Sequence, residues 1–152
     1  TVEDQLGMFR AVINGIVWIL NSFAIIALLA AGFGIVNTLL MSVQERTREI
    51  GLMKALGMSG GKIFGLFSLE AVFIGFLGSA IGAAVAVAAG SILSGVLSNG
   101  LLSSLPGLSL FLFNPMNIAM IILSVMFIAF LAGTIPAVRA ARQDPITALR
   151  YE

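Results

Sequence analysis

From Ala71 to Val138 the chain runs for 68 residues without one acidic or basic side chain. As a single helix that stretch would be ~100 Å long, against ~30 Å for the hydrocarbon core of a bilayer, so it has to cross a membrane, turn and cross back. The turn is expected in SNGLLSSLPGLSLFLFN, residues 98–114, where Asn, Gly, Ser and Pro cluster and Asn114-Pro115 reads as the entry to a new helix. A second uncharged run, 34 residues between Arg10 and Glu45, is long enough for one more span. With 59% hydrophobic and 10% charged residues, the chain reads as an all-α membrane protein with three transmembrane helices. Span one is expected near 16–41, span two over 60–97 and span three over 115–138. Span two is over-long, which predicts a tilt, a break near Gly90 or a start in the interface.

Lys and Arg set the expected orientation. Arg46, Arg48, Lys54 and Lys62 lie between spans one and two, and Arg139, Arg142 and Arg150 follow span three in the tail, 139–152. Both segments belong in the cytoplasm under the positive-inside rule, which gives N-out, C-in. That arrangement predicts an upstream span before Thr1, with an outward-facing domain expected to follow that span. A net charge of +1 gives no reason to expect nucleic acid as a partner, and a chain with neither Cys nor His has no thiol nucleophile, imidazole base or usual zinc ligand.

Six of the fifteen formal charges fall within SVQERTREIGLMKALGMSGGKI, residues 42–63. Ile50, Met53 and Leu56 recur there every three positions, with Arg46, Glu49 and Lys54 distributed around them, which predicts a short amphipathic helix over 44–57. Gly57 is its expected C-terminal stop, and Ser59 the N-cap of the next helix. GMSGGK, Gly57 to Lys62, falls short of a phosphate-binding loop. It has three residues instead of four before the Gly-Lys pair, Ile63 instead of Ser or Thr after it, and a helix instead of a strand before it. Energy for any transport is therefore expected from another polypeptide.

The order NTLLMSVQERTREIGLMKALGMS resembles the loop of the FtsX and MacB-like family of ABC transporter permeases, where a span runs into an E-R-x-R-E-I-G segment and a K-A-L-G stop. The tail GTIPAVRAARQDPITALRYE resembles the same family's C-terminus. The resemblance implies that the loop helix is a coupling element docked on a cytoplasmic ABC ATPase, which would bind the ATP and Mg; no cofactor is expected in this chain. Ile50, Met53 and Leu56 would enter a groove on the ATPase. Glu45, Arg46, Arg48, Glu49 and Lys54 would set its orientation and rim. Gly51 and Gly57 would allow close approach and a sharp exit. Further implied partners are a second permease copy or a paralogue, and membrane lipid. The implied place is the inner membrane of a prokaryote, and the implied work is export or efflux, with mechanical regulation of an envelope enzyme as the alternative.

Within span two, Gly78, Gly82, Ala86 and Gly90 form a small-residue stripe at four-residue spacing, expected to pack helices closely. Glu70 is the one ionisable residue that enters the membrane region, close to its charged end. It is the sole coupling group a small secondary transporter would have here.

Overall fold

The computed structural model describes residues 2–99 and 114–149. They form five helices: α1, Val2–Glu45; α2, Thr47–Ala55; α3, Gly60–Asn99; α4, Pro115–Ala141; and α5, Pro145–Leu149. No strand occurs among the described residues. α1, α3 and α4 are each long and apolar enough to cross a membrane, so the chain is an all-helical, multi-pass membrane protein. The expected turn lies largely on residues 100–113, outside the described residues, but its exit is visible. Asn114 accepts a hydrogen bond from the Met116 backbone N–H at 3.0 Å, and Pro115 takes the first helical position, where its missing N–H costs nothing.

The helices overrun the spans expected of them. α1 has 44 residues and α3 has 40, or ~66 and ~60 Å, because bilayer thickness limits the buried part of a helix and not the helix itself. α3 runs unbroken through Gly90, so the break considered there does not occur. Hydroxyls along the long helices turn back on their own backbone. Ser22, Ser79, Ser91, Ser124 and Thr134 each donate to a carbonyl three or four residues earlier, which satisfies those O–H groups in an apolar surrounding, whereas the buried Ser68 Oγ on α3 has no hydrogen-bond partner among the described residues.

Contacts divide the chain at Gly34 into two units. In the first, every residue of α1 from Glu3 to Ala27 is exposed, including Phe9, Trp18 and Phe23, as befits a helix that is apolar all round and meets lipid or another helix.

The second unit, Ile35–Glu152, is built on α3 and α4 packed antiparallel. Glycine sets their approach. A Cβ placed on Gly75 would collide with the Ala129 side chain, and one on Gly133 with Ala71, with Leu39 at 3.6 Å behind it. At the charged end Val43 of α1, Ile50 of α2, Ile63 and Phe67 of α3, and Ala137 and Ala140 of α4 close one apolar cluster, flanked by Met53 and Phe64. The small-residue stripe expected to pack span two does not lie in the α3–α4 contact. Gly78, Gly82 and Ala86 are exposed, a Cβ on Gly78 or Gly82 would meet nothing within 4 Å, and Gly90 alone of the four is buried. The contact face runs through Ala71, Gly75, Ser79, Ala83 and Val87, one residue and so ~100° from the stripe at Gly78, Gly82 and Ala86.

Gly133→Val is therefore expected to lower the stability of the detergent-solubilised protein by about 1–3 kcal/mol, the usual effect of overpacking. Gly82→Val should leave the chain's own stability within about 0.5 kcal/mol. Thermal unfolding of the two variants side by side checks the assignment.

Candidate functional site

α2 is set between two chain turns that its sequence specifies locally. α1 ends at Glu45, and Arg46 leaves helical geometry at φ −99°, ψ 18°. The hydrogen bonds nevertheless carry across, from Arg46 N–H to the Ser42 carbonyl at 3.1 Å and from Ile50 N–H to the Arg46 carbonyl at 3.0 Å. The Thr47 hydroxyl donates back to the Val43 and Gln44 carbonyls, covering acceptors left open at the end of α1. At the other end Gly57 takes φ 92°, the expected stop. Its N–H bonds the Lys54 carbonyl at 2.9 Å and the Met58 N–H bonds the Met53 carbonyl at 3.0 Å, the paired closure of a Schellman motif. Two residues later α3 begins, with the Ser59 carbonyl accepting from Lys62 and Ile63 N–H. GMSGGK is thus a helix stop followed by a helix start.

The two faces of α2 are divided sharply. Ile50 is 0% exposed and Gly51 is buried, while Met53 and Lys54 are half-buried. Arg48, Glu49, Leu52, Ala55 and Leu56 are exposed, Leu52 at 53% and Leu56 at 80%, and Glu45 and Arg46 just before the helix are exposed as well. Of the three apolar residues expected to point at a partner, Leu56 alone faces out. Ile50 lies inside the permease cluster, and Met53 packs against it. The reason is geometric: at ~100° per residue, a three-residue spacing falls back by ~60° each step, so Ile50 and Leu56 end ~120° apart. Leu52, four residues before Leu56 and ~40° from it, is the outward apolar neighbour that the three-residue stripe missed.

The inward face is fastened to the chain's tail. Lys54 Nζ donates to the Ala141 carbonyl at 2.7 Å and to the Gln143 carbonyl at 2.6 Å, placing an ammonium on the oxygens where α4 ends. Gln143 Nε2 donates to the Thr47 hydroxyl at 3.3 Å. Gly51 admits α5: a Cβ there would stand 2.7 Å from that of Ala148. α5 is itself held at its start by Asp144, whose carboxylate accepts from Ile146 N–H and from the Thr147 hydroxyl. Gly60, opening α3, lies against the Ala141 carbonyl, which a Cβ would approach to 3.0 Å. Beside this junction an open groove of about 600 Å³ is lined by Leu40, Gln44, Glu45, Arg48, Arg139 and Gln143, among others. Glu70 is half-buried on α3. Among the described residues no cluster of three or more acidic, His or Cys side chains could hold a metal ion.

A family profile described as FtsX-like permease C-terminal matches residues 21–145. The "Uncharacterized ABC transporter permease YknZ" of Bacillus subtilis is 36% identical over 134 residues, 88% of this chain and 31% of that protein. The "Macrolide export ATP-binding/permease protein MacB" of Hahella chejuensis is 34% identical over 134 residues, 88% of this chain and 19% of its own length. MacB of Mannheimia succiniciproducens is 31% identical over all 152 residues, 21% of its length. The chain thus spans less than a third of each of these relatives.

Gly57 is the position where α2 depends on a backbone that only glycine adopts easily. Because the space around it is open, Gly57→Ala is expected to cost about 1–2 kcal/mol through φ alone. Amide exchange at the Gly57 and Met58 N–H groups should accelerate in that variant while exchange in the middle of α3 stays as in the parent.

Proposed function

Since this chain belongs to the FtsX-like permease family, we propose that it is the membrane part of an ABC transporter permease in a prokaryotic inner membrane, docked through the outward face of α2 on a cytoplasmic ABC ATPase. The observation that carries this reading is the division of α2. Its inner face is used up by the permease itself, while the outer face presents Leu52 and Leu56 beside Arg48 and Glu49. An amphipathic helix held rigidly from behind, with two apolar side chains one turn apart in front, is the form that enters a groove on a partner. The two leucines supply the apolar anchors and the charges set register and encounter.

The same junction supports an orientation. Lys54 touches the end of α4, so the basic segment around α2 and the basic tail gather at one end of the second unit. Seven Lys and Arg residues at or after position 46 belong to these two segments, which supports a cytoplasmic junction and an N-out, C-in chain. ATP and Mg would be bound by the ATPase. The names of the MacB relatives join ATP binding and permease in one protein, which supports an ATPase component outside these 152 residues, separate or fused. A second permease copy or a paralogue would face the exposed helices, with lipid covering the rest. The names of the relatives support export as the work done, and the cargo would be chosen by parts of the protein beyond this segment.

The pair Leu52→Ala and Leu56→Ala, made in the complete transporter, is expected to lower ATPase co-purification by at least about tenfold, since each buried apolar anchor contributes on the order of 1–3 kcal/mol. The amount inserted in the membrane should not change, because both residues are exposed in the permease. Undiminished recruitment by the double variant would remove α2 as the docking element.

A further inference from the structure

α2 has several ways to yield under load. It is joined to α1 through the single non-helical residue Arg46 and to α3 through the left-handed Gly57. Both joints are places where a pull on α2 could be absorbed by rotation. What opposes that rotation is a set of contacts to a part of the chain almost ninety residues away. Lys54 Nζ binds two carbonyls at once, that of Ala141, the last residue of α4, at 2.7 Å and that of Gln143, two residues beyond, at 2.6 Å. A carbonyl at a helix end lacks its intrahelical donor, and a cation there is favoured by the helix dipole as well as by the hydrogen bonds. Thr47, one and a half turns or more away on α2, takes a third bond from Gln143 Nε2. Between them Gly51 lets Ala148 of α5 seat against the α2 backbone. These contacts fall on the inner side of the helix, opposite the exposed Leu52 and Leu56.

We propose that Lys54 is a positioning residue that latches α2 to the C-terminal end of α4, so that displacement of the docked helix is delivered to the third membrane span instead of being lost at the Arg46 and Gly57 joints. The inference rests on the docking role of α2 proposed above and adds the route by which its motion leaves the helix. An ammonium holding two carbonyls supplies a short, charge-assisted link that a neutral side chain of the same length cannot replace. The route ends on α4 at Ala140 and Ala141, from where the close Gly133–Ala71 and Gly75–Ala129 contacts carry it into α3. In this arrangement Lys54 touches neither ATP nor cargo.

The test uses the complete transporter with its ATPase. The segment contains no Cys, so spin labels placed at Ala55→Cys and Arg142→Cys, both exposed positions, report the separation of α2 from the end of α4. With Lys54 present, that separation is expected to be the same, within about 2 Å, in nucleotide-free and ATP-trapped states. Lys54→Met keeps most of the apolar stem and removes the donors. It should broaden the distribution, most of all in the trapped state, and lower permease-stimulated ATP hydrolysis by at least about tenfold, the lower end of the scale for losing hydrogen bonds to a charged group. ATPase co-purification should remain at the parental level. Lys54→Arg, which retains charge and donors, should restore both the narrow distribution and the stimulation. A purely structural lysine would instead lower the amount of folded protein and leave stimulation per folded complex unchanged, and that result overturns the proposal. A wild-type separation that changes by more than about 5 Å between states also overturns it, and this comparison stands even where Lys54→Met fails to insert. Failure of the ATPase to bind the unmodified permease is a different result: it removes the docking reading, and the latch with it.

Discussion

Where α4 ends, the carbonyl of its last residue, Ala141, and that of Gln143 just beyond it both accept from an ammonium carried by a different helix. Everything at the charged end of the molecule is arranged around that contact. Lys54 reaches Ala141 and Gln143 because Ile50, one turn earlier on the same inner face, is buried between Val43, Ile63, Phe67 and the alanines of α4. Apolar burial brings α2 close, and the directional bonds then fix its rotation. With the rotation fixed, which side chains face away is no longer free, and Leu52 and Leu56 are committed to the outside.

In the membrane region the equivalent constraint is steric. Lipid gives two apolar helices little hydrophobic reason to associate, so close packing has to supply it. The chain achieves close packing by setting glycine against alanine, at Gly75 and Ala129, at Gly133 and Ala71, and again outside the spans at Gly51 and Ala148. Each pairing leaves room for one methyl and not for two. Much of the remaining helix surface stays apolar and uncovered, from Phe9 and Trp18 on α1 to Ile81 and Val85 on α3 and Ile121 on α4, as a helix immersed in lipid or facing another membrane helix requires.

Features governed by neighbours in sequence were legible from it. The Gly57 stop, the Asn114-Pro115 helix entry and the three apolar runs obey rules that act within a few residues, and the structure has all of them. The faces of the helices were not legible in the same way. The spacing of Ile50, Met53 and Leu56 fits a stripe only while the drift of a three-residue repeat is ignored, and over nine residues too few positions exist to correct it. Gly78 and Gly82 form a pattern that favours close packing in general, but the pattern does not say against what. Gly75 and Gly133 lie in small-residue runs of the same spacing, Ala71, Gly75, Ser79 and Ala83 on α3 and Ala129, Gly133, Ala137 and Ala141 on α4, and what makes each of them a contact is an alanine more than fifty residues away, which spacing alone does not reveal. Lys54 is the clearest case. The resemblance placed it with the charges on the rim of the docking face, but its side chain turns inward to the Ala141 and Gln143 carbonyls, a contact that depends on where α4 stops.

One face of α2 is locked into the permease, and the proposed docking places the ATPase on the other. Single cysteines at Ile50, Leu52 and Leu56, treated with a membrane-impermeant maleimide in inside-out vesicles with and without the ATPase, examine it directly. With α2 docked in this way, Leu52→Cys and Leu56→Cys are expected to react readily in ATPase-free vesicles and to be protected when the ATPase is bound, while Ile50→Cys stays unreactive in both. Rapid labelling at Ile50, or labelling at Leu52 and Leu56 that the ATPase does not reduce, would contradict it.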